Sequence, residues 1–405
     1  MKCWIRIVKQ AKLKALREGD VMKKNNLDIK TNMVHGRRSL AEVTGAISMP
    51  IYQSATFRHP AYGESTGYDY SRVQNPTREE VEDTIALLEG GSKGFAFSTG
   101  MAAIAAMMEL FSPGDHIIAS DDLYGGTYRL FEEINKKNGI EVTYCDTSRI
   151  VELENNIQKN TKCLFIESPT NPTMKVTDIR QAACLAREKG LKLIVDNTFL
   201  TPYFQRPLDL GADMVVHSGT KYLGGHNDTL AGFLVTNDVD DAERIDMIHK
   251  TVGAVLSPFD SWLILRGIKT LGIRMERQQS NAMKIAQWLK SNQHVEEVYY
   301  VGLEDHPGHE INNKQSEGSG AMISFRVKDV KKARDILGRL KIISFAESLG
   351  GVESLITYPI EQTHQAIPKE IRDRIGVDEY LLRLSVGIEE AKDLIADLDQ
   401  GINRE

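Results

Sequence analysis

Between residues 116 and 218 the short apolar runs HIIAS, EVTYC, KCLFIES, LKLIVDN and DMVVHS recur, separated by polar spans such as IRQAACLAREKG. Consecutive apolar residues, as at Leu193, Ile194 and Val195, suit strands covered on both faces. Strands of that kind linked by helices build a mainly parallel, doubly wound α/β sheet. Ligands of such a sheet bind in the crevice beyond the carboxyl ends of its strands. Ahead of this region NPTREEVEDTIALLEGG predicts a helix, with Pro76 in its first turn, an apolar stripe of Val81, Ile85 and Leu88, and closing glycines. After Ser257 the pattern changes. Residues 260–292 read as one long helix or two abutting ones, and AMISFRV, LKIISFAES and LLRLSVGIE read as strands of a smaller α+β unit.

A chain of 405 residues exceeds what one core usually serves, so a large and a smaller domain are expected. We place them at 76–257 and 258–405, with the active cleft between them. Residues 36–75, with Pro50, Pro60 and several glycines, are expected to form an arm over a neighbouring surface. Residues 1–35 begin lysine-rich and lack the apolar centre of a secretory signal. They are expected to be a dispensable extension with Met22 as an alternative start, so a protein beginning at Met22 should keep full turnover. The net charge of −6, with acids and bases mixed along the chain, argues against nucleic-acid binding. No apolar run approaches the roughly 20 residues of a membrane span. Cys3, Cys145, Cys163 and Cys184 show no CxxC spacing. They are expected to be reduced, mostly buried thiols rather than metal ligands or disulfides, which fits a cytoplasmic protein.

The run DMVVHSGTKYLGGH ends a strand abruptly and leads through small hydroxyl residues to Lys221. A lysine amine condenses with an aldehyde only when neutral, which requires a crowded, partly desolvated pocket that lowers its pKa. Ser218 and Thr220 can hold a phosphate through their hydroxyls. A P-loop does not fit, because GxxxxGK[ST] spacing is missing and Tyr222 stands where a Mg-binding hydroxyl belongs. Taken alone, SGTK is equally an ordinary loop after a strand. Asp196 closes LKLIVDN and adds a carboxylate at a strand's carboxyl end. Pairing with a pyridinium N–H would relieve the cost of burying it alone, although an Asp before the turn formers Asn197 and Thr198 equally suits a turn cap. In FAFSTGMAAIAAMMELF a short strand meets Gly100 and a helical stretch beginning near Met101, whose free N–H groups suit a phosphate. Three strand ends thus offer partners for a phosphate, a ring nitrogen and an aldehyde, the handles of pyridoxal 5'-phosphate.

In chain order, YDYSRVQNPTREEVE, STGMAAI, DDLYGGTYRL, ESPTNPT, VDNTF, HSGTKYLGGH, AESLGGVESL, QTHQAIP and LLRLSVGIE resemble the motifs of the Cys/Met metabolism family of pyridoxal phosphate enzymes. That family includes cystathionine γ-synthases, γ-lyases and β-lyases, methionine γ-lyases and O-acetylhomoserine sulfhydrylases. The resemblance runs from about Gly36 to Asp399. It implies an aspartate-aminotransferase-like α/β fold (fold type I), with a mainly parallel seven-stranded-type sheet domain and a smaller C-terminal α+β domain. It implies Lys221 as the Schiff-base lysine and proton shuttle, Asp196 as the pyridinium partner with Thr198 beside it, and Tyr124 stacked on the ring. The phosphate would be held by the backbone at Gly100 and Met101, by Ser218 and Thr220, and by Tyr70 and Arg72 of a neighbouring subunit. The assembly implied is a homotetramer, a dimer of active dimers with shared sites, with no metal.

The same resemblance makes Arg383 the clamp for a substrate α-carboxylate, with Asn171, Ser348 and Thr363 as further substrate contacts. An arginine in an apolar strand is costly unless paired, so an anionic ligand is one reason for it and a structural ion pair is the other. Asp69 and Glu347 resemble the acidic pair of γ-synthases and γ-lyases, which receives the distal amino group of cystathionine. Thr357 stands where many dedicated γ-lyases have an acid, and the segment after DDLYGGT lacks the cysteine typical of methionine γ-lyases. The expected reaction is therefore γ-replacement on O-acetyl- or O-succinylhomoserine by cysteine, giving cystathionine. Elimination from cystathionine at Cγ or Cβ, and then O-acetylhomoserine sulfhydrylation, are the alternatives. A regulatory binding protein would be free to lose Lys221 or Tyr124, and both are present.

Overall fold

The structure, a computed structural model, describes residues 27–36, 45–365 and 367–403. Cys3, Met22 and most of the expected extension lie outside them. The helix Pro76–Glu89 forms where its signals place it: Asn75 accepts from the N–H groups of Thr77 and Arg78, and Gly90 closes it in a left-handed conformation. Its stripe of Val81, Ile85 and Leu88 is buried.

The large sheet has seven strands, β1 (Lys93–Phe97), β2 (His116–Ser120), β3 (Glu141–Cys145), β4 (Thr161–Glu167), β5 (Lys192–Asp196), β6 (Met214–Ser218) and β7 (Gly232–Thr236). Their order is β1-β7-β6-β5-β4-β2-β3. The run from β3 to β6 is parallel, and β7 opposes both of its neighbours. Separate apolar clusters cover the sheet, one including Ile104 and Met107 of the helix Gly100–Met108 and another Ala182 and Ala186 of the helix Ile179–Lys189. β7 escapes the sequence pattern because no helix separates it from β6. Parallel pairing places Glu167, Asp196 and Ser218 together at the carboxyl ends of β4, β5 and β6.

The smaller sheet has the order β10-β11-β12-β9-β8, from β8 (Val295–Tyr299), β9 (Met322–Val327), β10 (Ser344–Phe345), β11 (Leu355–Thr357) and β12 (Leu381–Ser385). The expected strand LKIISFAES shrinks to β10, because the Asp397 carboxylate takes the N–H groups of Lys341, Ile342 and Ile343 away from any ladder. Residues 260–292 resolve into the helices Pro258–Ile268, capped by Ser257, and Leu271–Ser291.

One expectation needs correction. Residues 29–35, assigned to the extension, form a helix capped by Asp28. Met33 is 4% exposed within the main apolar cluster, beside Gly272, so the packed body begins before residue 36. Cys145 and Cys163 are buried free thiols, whereas Cys184 is exposed on the polar side of its helix. Among the described residues no helix is long and apolar enough to cross a membrane. Met33→Ala is expected to cost about 2–4 kcal/mol in thermal or denaturant unfolding, as for other buried large-to-small changes. An unfolding transition unchanged from the parent would show that this helix is not part of the core.

Candidate active site

A cavity of about 340 Å³ opens between the carboxyl edge of the large sheet and the smaller domain. Gly100, Met101, Tyr124, Asn171, Asp196, Thr198, Ser218, Thr220, Lys221, Glu347, Ser348, Thr363 and Arg383 all line it. Residues drawn from motifs some 280 positions apart along the chain are thus brought to one place. Asp69, Tyr70 and Arg72 do not join them. Asp69 accepts from Ser65 and lies 3.2 Å from His59. Arg72 sits over the Tyr70 ring and donates to the carbonyl of Lys250.

At one wall the helix Gly100–Met108 starts against the end of β6. A Cβ on Gly100 would lie 3.0 Å from that of Ser218, so only glycine lets the two backbones approach this closely. Thr99 caps the helix by accepting from Ala102 N–H, and Gly100 and Met101 of its first turn line the cavity. The Ser218 N–H donates to Thr198 Oγ1 (2.9 Å), and Thr198 N–H donates to Asp196 (3.0 Å). This chain of bonds fixes the hydroxyl turn relative to the acid. Burial raises the pKa of Asp196, while Thr198 and His217 oppose the rise.

Glu167 also lines the cavity and was not singled out from the sequence. It pairs in register with Asp196 and accepts from the Tyr124 N–H at 3.1 Å. Burial and then the neighbouring Asp196 push its pKa well above the ordinary carboxyl value. The signal available was an acid closing an apolar strand, the same one that marks Asp196. Tyr124 itself is 40% exposed into the cleft, at the start of the helix Gly125–Leu130.

The opposite wall carries the cations. Lys221 Nζ donates to Ser348 Oγ at 3.0 Å. Its pKa is lowered to about 8, first by burial and then by the Arg383 guanidinium, with Glu347 acting the other way. Arg383, 2% exposed in the middle of β12, donates to Asn171 Oδ1 (2.7 Å), Thr357 Oγ1 (3.1 Å) and the Ser348 carbonyl (3.3 Å). Its Nε is buried without a partner, and no ion pair to it occurs among the described residues. That removes the structural ion pair as the reason for this arginine. Thr363 is held by a 2.8 Å contact to His364, whose ring reaches the Asn171 carbonyl.

These features fit pyridoxal phosphate. They include a lysine tuned towards neutrality, a buried acid for a ring nitrogen, a glycine-opened helix start beside hydroxyls for a phosphate, and an arginine with a donor to spare for a carboxylate. A parallel sheet presenting such a set at its carboxyl edge defines a cofactor-dependent α/β enzyme. The chain belongs to the Cys/Met metabolism PLP-dependent enzymes, whose family model matches residues 30–403. It is 50% identical over 373 residues to the cystathionine gamma-lyase of Bacillus subtilis, covering 92% of this chain and 98% of that one. It is 52% identical over 367 residues to the cystathionine gamma-synthase/O-acetylhomoserine (thiol)-lyase of the same organism, covering 91% and 94%. The crystal structure of cystathionine gamma-lyase from Lactobacillus plantarum complexed with L-serine matches with a TM-score of 0.91 at 45% identity, over 93% of this chain and 99% of that one.

A lysine with a lowered pKa reacts with electrophiles at lower pH, because the neutral fraction appears above its midpoint. In cofactor-free protein, trace acetylation of Lys221 by acetic anhydride, read by peptide mass spectrometry, should rise with pH to a midpoint of about 8. A midpoint at about 10.4, the ordinary lysine value, would contradict this environment.

Proposed function

We propose that the protein is a cystathionine γ-synthase, joining cysteine through its sulfur to Cγ of O-acetyl- or O-succinylhomoserine and releasing acetate or succinate. Glu347 is the observation that carries this reading. Its carboxylate lines the cavity beside Ser348, within reach of the lysine's surroundings, and gives an ammonium-bearing partner a place to bind. The 52% identity to a relative named as a γ-synthase supports the same choice. The second reading is γ-elimination from cystathionine, favoured by the 50% identity to a γ-lyase.

In this proposal Lys221 would hold the cofactor through its amine and would serve as the group that moves protons at Cα. The bound pyridoxal ring supplies an electron sink for the charge left at Cα. Asp196 would pair with the ring nitrogen and favour its protonated form. Tyr124, held through its N–H by Glu167, would stack on the ring. Gly100, Met101, Ser218 and Thr220 take the phosphate. Arg383, aligned by Asn171, binds the α-carboxylate through its remaining donors, with Thr363 at the rim. A second copy of the chain supplies Tyr70, Arg72 and Asp69, which lie outside the cavity of their own chain, within a homotetramer. A cytoplasmic setting suits such a reaction and the free thiols.

Lys221→Ala is expected to lose turnover by at least about 10²–10⁴, the range of positioned proton-transfer groups, together with the visible absorbance of the lysine-bound cofactor. Purified protein given each homoserine ester with cysteine should yield cystathionine. Release of 2-oxobutyrate from cystathionine, with no synthesis from either ester, would replace this reading by the second. Arg383→Lys should raise KM for the amino acid about tenfold or more, since a point charge loses the planar fork.

A further inference from the structure

The helix Leu271–Ser291 carries a polar row where a core helix would be expected to show only apolar side chains. Arg274, Gln278 and Asn281 are spaced i, i+4 and i+7, hence on one face, and are 3%, 0% and 0% exposed. Each donates to backbone just past a different residue of the site. Arg274 Nη1 donates to the Tyr222 carbonyl at 2.7 Å, one residue after Lys221. Gln278 Nε2 donates to the Gly351 carbonyl at 2.7 Å, in the loop that begins at Ser348. Asn281 Nδ2 donates to the carbonyls of Gly387 (3.1 Å) and Glu389 (2.7 Å), where the chain leaves the strand of Arg383.

The three segments are also tied to one another. Val352 N–H donates to the Gly225 carbonyl (3.0 Å) and Ile388 N–H to the Val352 carbonyl (2.9 Å). The fit is tight, since a Cβ on Gly225 would collide with the Arg274 guanidinium. A packing role alone does not account for these residue types. Arg274 has no ion pair among the described residues and spends its charge on the carbonyls of Tyr222 and Gly267 and on Thr270 Oγ1. The side-chain oxygens of Gln278 and Asn281 are buried without partners. Apolar side chains of the same size would avoid both penalties, so what the row supplies is its donors.

We propose that Arg274, Gln278 and Asn281 form a positioning row that sets Lys221, Ser348 and Arg383 relative to one another from a single rigid helix. It rests on the reading of those three as working residues, and none of the row touches the cavity. Because each member serves a different segment, each has its own kinetic signature. Arg274 governs the lysine and therefore kcat, Asn281 governs the carboxylate clamp and therefore KM, and Gln278, which holds the loop between them, governs both.

The test uses the full chain loaded with pyridoxal phosphate, with Arg274→Met, Arg274→Lys, Gln278→Met and Asn281→Leu compared in the reaction the parent performs. Arg274→Met should lower kcat about tenfold with KM little changed, and Asn281→Leu should raise KM about tenfold with kcat little changed. Arg274→Lys, which keeps one donor for Tyr222, should recover part of the loss. Without substrate, the pH at which the visible absorbance of the lysine-bound cofactor changes should move in Arg274→Met and stay in Asn281→Leu. A row that merely packs would lower the Tm of every variant while leaving kcat, KM and that pH unchanged per loaded site, and this overturns the proposal. The same kinetic change at all three positions overturns it as well. If Arg274→Met does not fold, Arg274→Lys against Asn281→Leu decides by the same split. Lys221→Ala serves as the control: turnover surviving there would refute the site assignment, not the row.

Discussion

The structure turns on a buried guanidinium that has no carboxylate. Arg383 lies in the central strand of the smaller sheet at 2% exposure, where an uncompensated charge costs several kcal/mol. Three neutral oxygens, from Asn171, Thr357 and Ser348, offset part of that cost. Each acceptor must then be fixed by something else. Thr357 and Ser324 flank Arg383 in register, and Ser324 Oγ donates to the Pro172 carbonyl at 2.6 Å, fastening the Asn171 loop onto the smaller sheet. From the other side, Asp122 accepts from Thr170 and Thr173 and holds the same loop against the large domain. Ser348 adopts φ +106°, a conformation costing about 1–3 kcal/mol for a residue with a side chain. Its hydroxyl meets Lys221 and its carbonyl meets Arg383, so both cations share in holding the strain.

The same shortage of negative charge separates the cleft into two electrical halves. On the smaller-domain side, burial and the Arg383 charge lower the pKa of Lys221, and Glu347 only moderates the effect. On the sheet side, Glu167 and Asp196 end adjacent parallel strands; burial raises the pKa of both, and the Asp196 charge raises that of Glu167 further. A lysine with a lowered pKa and a carboxyl with a raised one thus line the same cavity, each shifted by burial and by a neighbouring like charge. Acid and base functions kept apart in this way are what proton transfer at neutral pH requires.

Features that announce themselves locally were legible in the sequence. The apolar runs of β2 to β6, the cap and glycine around Pro76–Glu89, and the strand ends at Asp196 and Lys221 each carry their cause within a few residues. What stayed hidden depends on distant partners. β10 is short because Asp397, more than 50 residues away, consumes the neighbouring N–H groups. Met33 belongs to the core only because Gly272 leaves room for it. Glu167 closes an apolar strand as Asp196 does, but only the parallel register shows that the two acids stand side by side. The row of Arg274, Gln278 and Asn281 reads as the polar side of an amphipathic helix until the loops it faces are known. Tyr70 and Arg72 carry only the resemblance, since neither lines the cavity of its own chain.

Thr357 shows how placement changes the meaning of a position. From the motif it serves as a selector between reactions, because an acid at this point would mark another branch of the family. In the structure its hydroxyl accepts from Arg383 and donates to the Ala346 carbonyl, buried at 1% exposure. A carboxylate at this point would pair with the guanidinium directly and neutralise the charge that a substrate carboxylate is to meet. The neutral hydroxyl therefore preserves the clamp, and it does so irrespective of which bond is cut at Cγ. Under the proposed function, discrimination between synthesis and elimination would then fall on groups at the substrate's far end, for which Glu347 of the cavity lining is the candidate within this chain, and Asp69, outside that lining, the candidate from a second copy.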